Sequence, residues 1–218
     1  MKLIWSPDTA AKAYLATVKA CASCDDSSTA ELISSMAAGW NAKVMVETWS
    51  SNRDMATSIG LTIASQITGG RHVVIVSDEG TRFEYPKFMK ELGIPPPEVV
   101  VGQPEEVMAT LHGIDFLVVD SRRKDFSRVL RLASLSSQGA VIVCKNESAA
   151  RLQWRAVVAD WSRRLVRSVF LPLGKGLDIV HVSSSATAAD LKMAGNSDRR
   201  WIEYIDRITG EQFVIRRR

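Results

Sequence analysis

The sequence predicts an α/β protein: a mostly parallel, doubly wound sheet with an antiparallel C-terminal hairpin and two extra N-terminal helices. Three observations lead there. From Lys43 onward, short apolar runs alternate five times with segments of helical periodicity. The runs 73–76, 116–119 and 141–143 are continuously apolar, as parallel strands covered on both faces must be. Two later apolar runs are joined by Gly174-Lys175-Gly176, too short a link for anything but a hairpin.

The elements follow in order. Ser6-Pro7 reads as an N-cap followed by proline at the first helical position. Ala11, Tyr14, Leu15, Val18 and Cys21 then recur at helical spacing. After a polar break at 23–28, Ser28-Thr29-Ala30-Glu31 fits a capping box, Leu32, Ile33 and Met36 give an apolar face, and Gly39 fits a C-cap. Strand 44–47 leads to helix 53–67, with Ile59, Ile63 and Ile67 on one stripe and Thr68-Gly69-Gly70 at its end. Strand 72–77 leads to helix 83–92, closed by Gly93 and Pro95-Pro96-Pro97. Strand 98–101 precedes helix 105–111, strand 115–120 precedes a helix over 126–136, and strand 140–144 precedes helix 148–164. Strands 166–173 and 177–183 make the antiparallel end, and 201–205 with 212–216, linked through Thr209-Gly210, make a small further hairpin. Five β-α units in sequence imply right-handed crossovers. One domain is expected over 1–218: helices at 1–40, a core at 41–183, and a loop and extension at 184–218, with 183–198 the expected mobile segment.

Bulk properties narrow the possibilities. The 218 residues are 46% hydrophobic with a mean hydropathy of -0.01, which suits a full core. No apolar run approaches the ~20 residues of a membrane span. The N-terminus lacks the apolar centre of a signal peptide, so a cytoplasmic location is expected, with the nucleus as the alternative. Cys21 and Cys24 have the spacing of half a zinc site or a redox pair. With no second pair, and with His72, His112 and His181 scattered, free thiols are expected of these two and Cys144. The net charge of +4 is modest, and much of the excess is C-terminal, at Arg199, Arg200, Arg207 and Arg216 to Arg218. Nucleic-acid binding through that end has weak support, because no aromatic stacking motif accompanies it. A nicotinamide-dinucleotide enzyme is disfavoured by the absence of G-x-G-x-x-G.

Ligands of such sheets bind beyond the C-terminal strand ends, near the switch in strand order. The residues there are Glu47, Thr48, Ser50, Asp78, Gly102, Gln103, Asp120, Lys145 and Asn146. Asp78, closing the second strand, is placed to accept both hydroxyls of a ribose, since a carboxylate accepts two hydrogen bonds at once. The other reading of Asp78 is a helix N-cap.

The stretch 41–47, Val76-Ser77-Asp78, Gly102-Gln103-Pro104-Glu105-Glu106-Val107, 114–126 and Phe170-Leu171-Pro172-Leu173-Gly174-Lys175-Gly176-Leu177 together resemble class I S-adenosylmethionine-dependent methyltransferases, above all O-methyltransferases of the caffeoyl-CoA and catechol type. The resemblance covers about residues 28–182 and lies in the ordered set, not in any one piece. The opening Trp5-Ser6-Pro7-Asp8-Thr9-Ala10 and the closing Arg200-Trp201-Ile202 and Thr209-Gly210-Glu211 resemble a plant family of methyltransferase-like proteins of unknown function. The resemblance implies a Rossmann-like fold and S-adenosylmethionine as cofactor. Glu47, Thr48 and Ser50 would lie near its methionine part, Asp78, Gly102 and Gln103 by its adenosine part, and Asp120 beside both cofactor and acceptor. Asp120, Lys145 and Asn146 would face the acceptor.

Two departures matter. Trp49 and Arg53 stand where that family's loop has glycines. Trp49 either blocks the methionine end or turns outward and leaves it open. Metal-dependent members use an Asp ending the fourth strand and an Asp-Asn pair ending the fifth; Asp120 and Asn146 match, but Lys145 replaces the second Asp. A dication would lose a ligand and gain a repelling ammonium, so no metal is expected. If Lys145 points at Asp120, its ammonium partly takes the metal's electrostatic place and orients or deprotonates an acceptor hydroxyl. Arg122 makes the pocket mouth more positive, which would suit an anionic acceptor; the ordinary reading is a solvated Arg122-Arg123-Lys124 run.

Three functions compete: metal-independent methyl transfer to an unidentified small acceptor, a non-catalytic binding or regulatory protein on the same scaffold, and nucleic-acid binding. A homodimer is one arrangement open to the chain, with the N-terminal helices as dimer surface or as lid. No membrane partner is expected.

Overall fold

The computed structural model describes residues 5–24, 26–49, 55–122, 124, 126–146, 165–183, 201–205 and 212–216. The described chain divides into two compact units, Met1–Ser184 and Ser185–Arg218.

In the first unit, helices α1 (Pro7–Ala20) and α2 (Ser27–Gly39) precede a seven-stranded sheet. Its strands are β1 (Val44–Thr48), β2 (Arg71–Val76), β3 (Glu98–Val101), β5 (Phe116–Asp120), β7 (Ala140–Lys145), β8 (Leu165–Leu171) and β9 (Leu177–Val182). The spatial order is β3-β2-β1-β5-β7-β9-β8. Pairings from β3 to β7 are parallel, and those of β9 with β7 and β8 are antiparallel. The order reverses between β1 and β5, which opens the crevice at their C-terminal ends. Asp115 fixes the other end of this junction by accepting from the backbone N–H groups of Lys43 at 2.8 Å and Val44 at 3.0 Å.

Neighbouring residues of one strand serve opposite faces. Val46, Leu117, Val119 and Ile142 pack toward α5 (Pro104–Thr110) and α6 (Phe126–Leu132). Met45, Phe116, Val118 and Val143 pack with Ile33 and Ala37 of α2 and Leu61 of α3 (Ala56–Thr68). A third cluster joins α3, β2 and α4 (Glu79–Glu91) through Ile59, Val74, Val76, Tyr85 and Met89.

Most expected elements are present, and the differences have physical causes. Of the apolar residues spaced along α1 only Cys21, at its C-cap, is buried; Ala10, Ala13 and Thr17 form the packed face, while Tyr14, Leu15 and Val18 are exposed. Small side chains let α1 approach α2 closely, so that the Thr17 hydroxyl donates to Ser34 Oγ at 2.9 Å and the Thr9 hydroxyl to the Ala38 carbonyl at 3.0 Å. α2 begins two residues early, after Asp26, whose carboxylate accepts from the Thr29 hydroxyl at 2.7 Å. Gly39 is not a cap. It lies inside α2 beneath Trp5, whose ring atoms would stand 2.4 Å from an added Cβ. α4 starts at Glu79, ahead of expectation, because Asp78 caps it. α6 ends at Leu132, and the chain then forms β6 (Ser134–Leu135), which pairs with β4 (His112–Ile114). The hairpin turn between β8 and β9 has Gly174 at φ +57°, where an added Cβ would stand 2.6 Å from Asp26 Oδ1 and Thr29 Oγ1. The expected helix at 148–164 lies outside the described residues, and so does the expected mobile segment apart from Ser183.

In the second unit, β10 (Trp201–Ile205) and β11 (Gln212–Arg216) form the expected antiparallel hairpin, with Trp201 opposite Arg216 and Ile205 opposite Gln212. Among the described residues no helix is long and apolar enough to cross a membrane.

Candidate functional site

The sheet brings Glu47, Asp120 and Lys145 to the ends of three adjacent strands, with Asn146 one residue beyond. Asp78 follows β2, and Gly102 and Gln103 follow the neighbouring β3. Ser50 and Arg53 lie outside the described residues.

Asp120 is buried, and its counter-ion is Arg122. The guanidinium Nε donates at 3.0 Å to Oδ1 and at 3.2 Å to Oδ2, Nη2 donates to Oδ2 at 2.6 Å, and the Arg122 backbone N–H donates to Oδ1 at 3.0 Å. Burial alone would raise the carboxyl's pKa. The Arg122 and Asn146 hydrogen bonds and the Arg122 charge overcome it and bring the pKa to about 2. Asn146 adopts the left-handed conformation, φ +60°, and its carbonyl accepts from the Ser121 hydroxyl at 2.9 Å, tying the ends of β5 and β7 together.

Lys145 turns toward β1 and α3. Its ammonium donates to Thr57 Oγ1 at 2.8 Å and lies 3.8 Å from Glu47 Oε1. Glu47 is almost fully buried; Ser58 donates to its Oε2 at 2.6 Å, and His72 Nε2 stands 3.6 Å from the same oxygen. Burial opposes ionisation of Glu47, but the nearby His72 imidazole, the Lys145 charge and the Ser58 hydrogen bond outweigh it, so the pKa is lowered. The buried Tyr85 beside them has its pKa pushed well up, first by burial and then by the Glu47 charge.

Trp49 is neither outward nor free in the loop. Its indole is buried among residues of α3, β2 and α4 and meets Tyr85 edge to face, with ring centroids 5.4 Å apart. Three buried polar atoms near the end of β1, Glu47 Oε1, Thr48 Oγ1 and Trp49 Nε1, have no hydrogen-bond partner.

Asp78 is exposed and caps α4: Oδ1 accepts from the Thr81 N–H at 2.8 Å, while Oδ2 accepts from the hydroxyls of Thr81 at 2.8 Å and Ser77 at 3.0 Å. The Thr81 backbone bond leads these in lowering its pKa. The N-cap reading of Asp78 is thus realised, and its carboxylate remains at the surface. Gly102, at φ +152°, leaves backbone bare where a side chain would meet Val107 at 2.8 Å. Gln103 is exposed and caps α5 through its carbonyl, which accepts from the Val107 N–H at 3.0 Å.

Sequence reasoning missed Arg122 as the counter-ion of Asp120 and missed Thr57, Ser58, His72 and Tyr85 around Glu47. Polar residues at 57 and 58 beside the apolar stripe of α3 were the available signal.

This architecture is shared with the Rossmann-like class of methyltransferases. A methyltransferase from Geobacter sulfurreducens superposes with a TM-score of 0.56 at 18% identity, over 81% of this chain and 90% of that one. An O-methyltransferase from Bacillus cereus, solved in complex with SAH, gives 0.53 at 17% identity over 84% and 93%. The O-methyltransferase TomG from Streptomyces achromogenes, in complex with SAM, gives 0.53 at 17% identity over 79% and 90%. At these identities the likeness is one of fold. No curated protein matches the sequence. Residues 1–217 match the family described as "Protein of unknown function (DUF1442)", and the chain belongs to that family.

Proposed function

We propose that this protein binds S-adenosylmethionine at the ends of β1, β2 and β3 and transfers its methyl group, without a metal ion, to a small acceptor of anionic character. The observation that carries this reading is the Arg122 grip on Asp120, which places a fixed cation on the carboxylate where metal-dependent relatives are expected to hold a dication. Lys145 in place of a second acid also opposes a dication. The inward packing of Trp49 keeps its indole from standing free above the strand ends. The unpartnered Thr48 hydroxyl and the bare backbone at Gly102 fit a bound nucleoside cofactor.

The cofactor supplies an electrophilic methyl group. The chain would supply placement: Asp78 would receive the ribose hydroxyls, Gly102 and Gln103 would border the adenine, and Glu47 and Thr48 the methionine part. Asp120 and Asn146 face the acceptor, whose oxygen must be held in line with the methyl carbon. Arg122 adds positive charge at the mouth. Lys145 acts as a positioning residue through Glu47 rather than by touching the acceptor.

Calorimetric titration with S-adenosylmethionine and S-adenosylhomocysteine in the presence of a chelator tests the reading. Micromolar affinity, about -8 kcal/mol, that is weakened in Asp78→Asn supports it. Asparagine retains the helix cap, so the variant isolates the ligand contact.

A second reading is a non-catalytic binding protein. The observation favouring it is that Glu47 and Asp120 are both already compensated from within, by Lys145 and Arg122. Absence of binding at millimolar cofactor would give this reading the lead.

A further inference from the structure

Helix α1 buries its small residues and presents its large ones to solvent. Tyr14, Leu15 and Val18 are 44%, 58% and 36% exposed, with Ala11 exposed one turn before them. Of the other exposed large hydrophobics of the described residues, Trp5 stands at the entry to α1, Phe83 and Leu92 lie nine residues apart on α4 and at its C-cap, and Leu132 and Val166 stand on separate elements. An apolar stripe on one exposed helix marks an interaction surface more often than solitary residues do.

We propose that this stripe is the interface of a homodimer in which α1 packs antiparallel against α1 of a second copy. The stripe is self-complementary under a two-fold axis: Ala11 meets Val18, Tyr14 meets Leu15, and each contact recurs in reverse. The charges obey the same symmetry. Asp8 and Lys19 are exposed near opposite ends of the stripe and on the same border of it. The two-fold brings each Asp8 within reach of Lys19 of the second copy, giving two reciprocal ion pairs flanking the apolar contact. A parallel two-fold would carry the Asp8 and Lys19 borders to opposite sides of the contact and form neither pair, so the pattern also selects the orientation. A helix of 14 residues is about 21 Å long. Its stripe covers less than the roughly 800 Å² per partner of a standard interface, so the dimer is weak and depends on concentration. The surface is independent of the proposed cofactor chemistry.

Sedimentation velocity of the full chain from about 1 to about 200 µM tests this, a range that brackets a micromolar dissociation constant. The expected result is a monomer at the low end and a dimer at the high end. Leu15→Glu is expected to remain monomeric throughout, and Asp8→Lys to weaken association at least about tenfold. The double variant Asp8→Lys/Lys19→Asp is expected to restore it. Phe83→Glu, on an exposed apolar residue elsewhere, is expected to change nothing. Circular dichroism of each variant checks that α1 persists; should Leu15→Glu not fold, the charge swap decides. A native chain monomeric at every concentration overturns the proposal. So does a dimer that survives both Leu15→Glu and Asp8→Lys. A monomer that instead binds phospholipid vesicles through Leu15 overturns it in favour of a membrane-contact stripe.

Discussion

Arg122 holds Asp120 from two residues away, through Nε at 3.0 Å from Oδ1 and Nη2 at 2.6 Å from Oδ2. Both groups come from one turn at the end of β5, so the pair forms without waiting for a ligand. The guanidinium is nearly half exposed and the carboxylate is not, which makes the pair a bridge between the sheet and the crevice.

That pair has a pH signature. The folded pKa of Asp120, about 2, lies below the ordinary 3.8, so its stabilising effect is complete above the ordinary value and is lost as pH falls toward 2. Arg122→Ala is expected to cost about 1 kcal/mol near neutral pH, a figure reduced for the exposure of the guanidinium. The two stabilities should converge at about pH 2. Urea unfolding at several pH values measures this. A difference that persisted undiminished in acid would mean that Arg122 contributes by packing alone.

Lys145→Ala leaves the buried Glu47 without its ammonium partner. A loss of about 3 kcal/mol is expected, because an uncompensated charge remains inside. Because Glu47 has a lowered pKa, its stabilising contribution is present above the ordinary carboxyl range and vanishes on acidification. A double-mutant cycle with Glu47→Gln should show strong coupling, and additive effects would refute the pairing. If a methyl acceptor is found, equal transfer rates in native protein and Lys145→Ala would remove Lys145 from the positioning role.

Trp49→Gly restores the residue expected from the resembling loop but empties a filled site. A loss of about 3–5 kcal/mol is expected, since a large buried aromatic leaves a cavity against Tyr85 and Met89. Thermal denaturation reads the loss directly. A change under about 1 kcal/mol would show that the indole is not part of the core.

Asp115→Ala removes the acceptor shared by the Lys43 and Val44 N–H groups. The expected cost is about 1–3 kcal/mol, with faster hydrogen exchange at those two amides ahead of the rest of β1. Protected amides in the variant would place the start of β1 under other control.

The sheet was legible because strands buried on both faces are apolar at every position, as at 116–119 and 141–143. The same logic misread α1. Hydrophobicity pointed to Tyr14, Leu15 and Val18, but close helix packing selected Ala10, Ala13 and Thr17 for their size. β6, with two residues, is too short to have a period. At the candidate site, Glu47, Asp78, Asp120 and Asn146 were visible as polar residues at strand ends. The partners of Glu47 were not: Ser58 and His72 reach it from α3 and β2, and Lys145, visible at its strand end but expected toward Asp120, turns to it instead, so that only the completed fold makes them neighbours.

The close approach at Gly174 carries a consequence for how the chain is made. The turn that touches Asp26 and Thr29 is separated from them by most of the sequence, and α1 and α2 share a core cluster with Leu177 and Ile179 of β9. During synthesis the two helices leave the ribosome more than a hundred residues before the strand they rest on. Long-range closure of this kind is slow, and the apolar faces of the early helices stay uncovered until it occurs. The two helices are therefore a part of the nascent protein in need of protection, although their own residues are complete long before their partner strand is made.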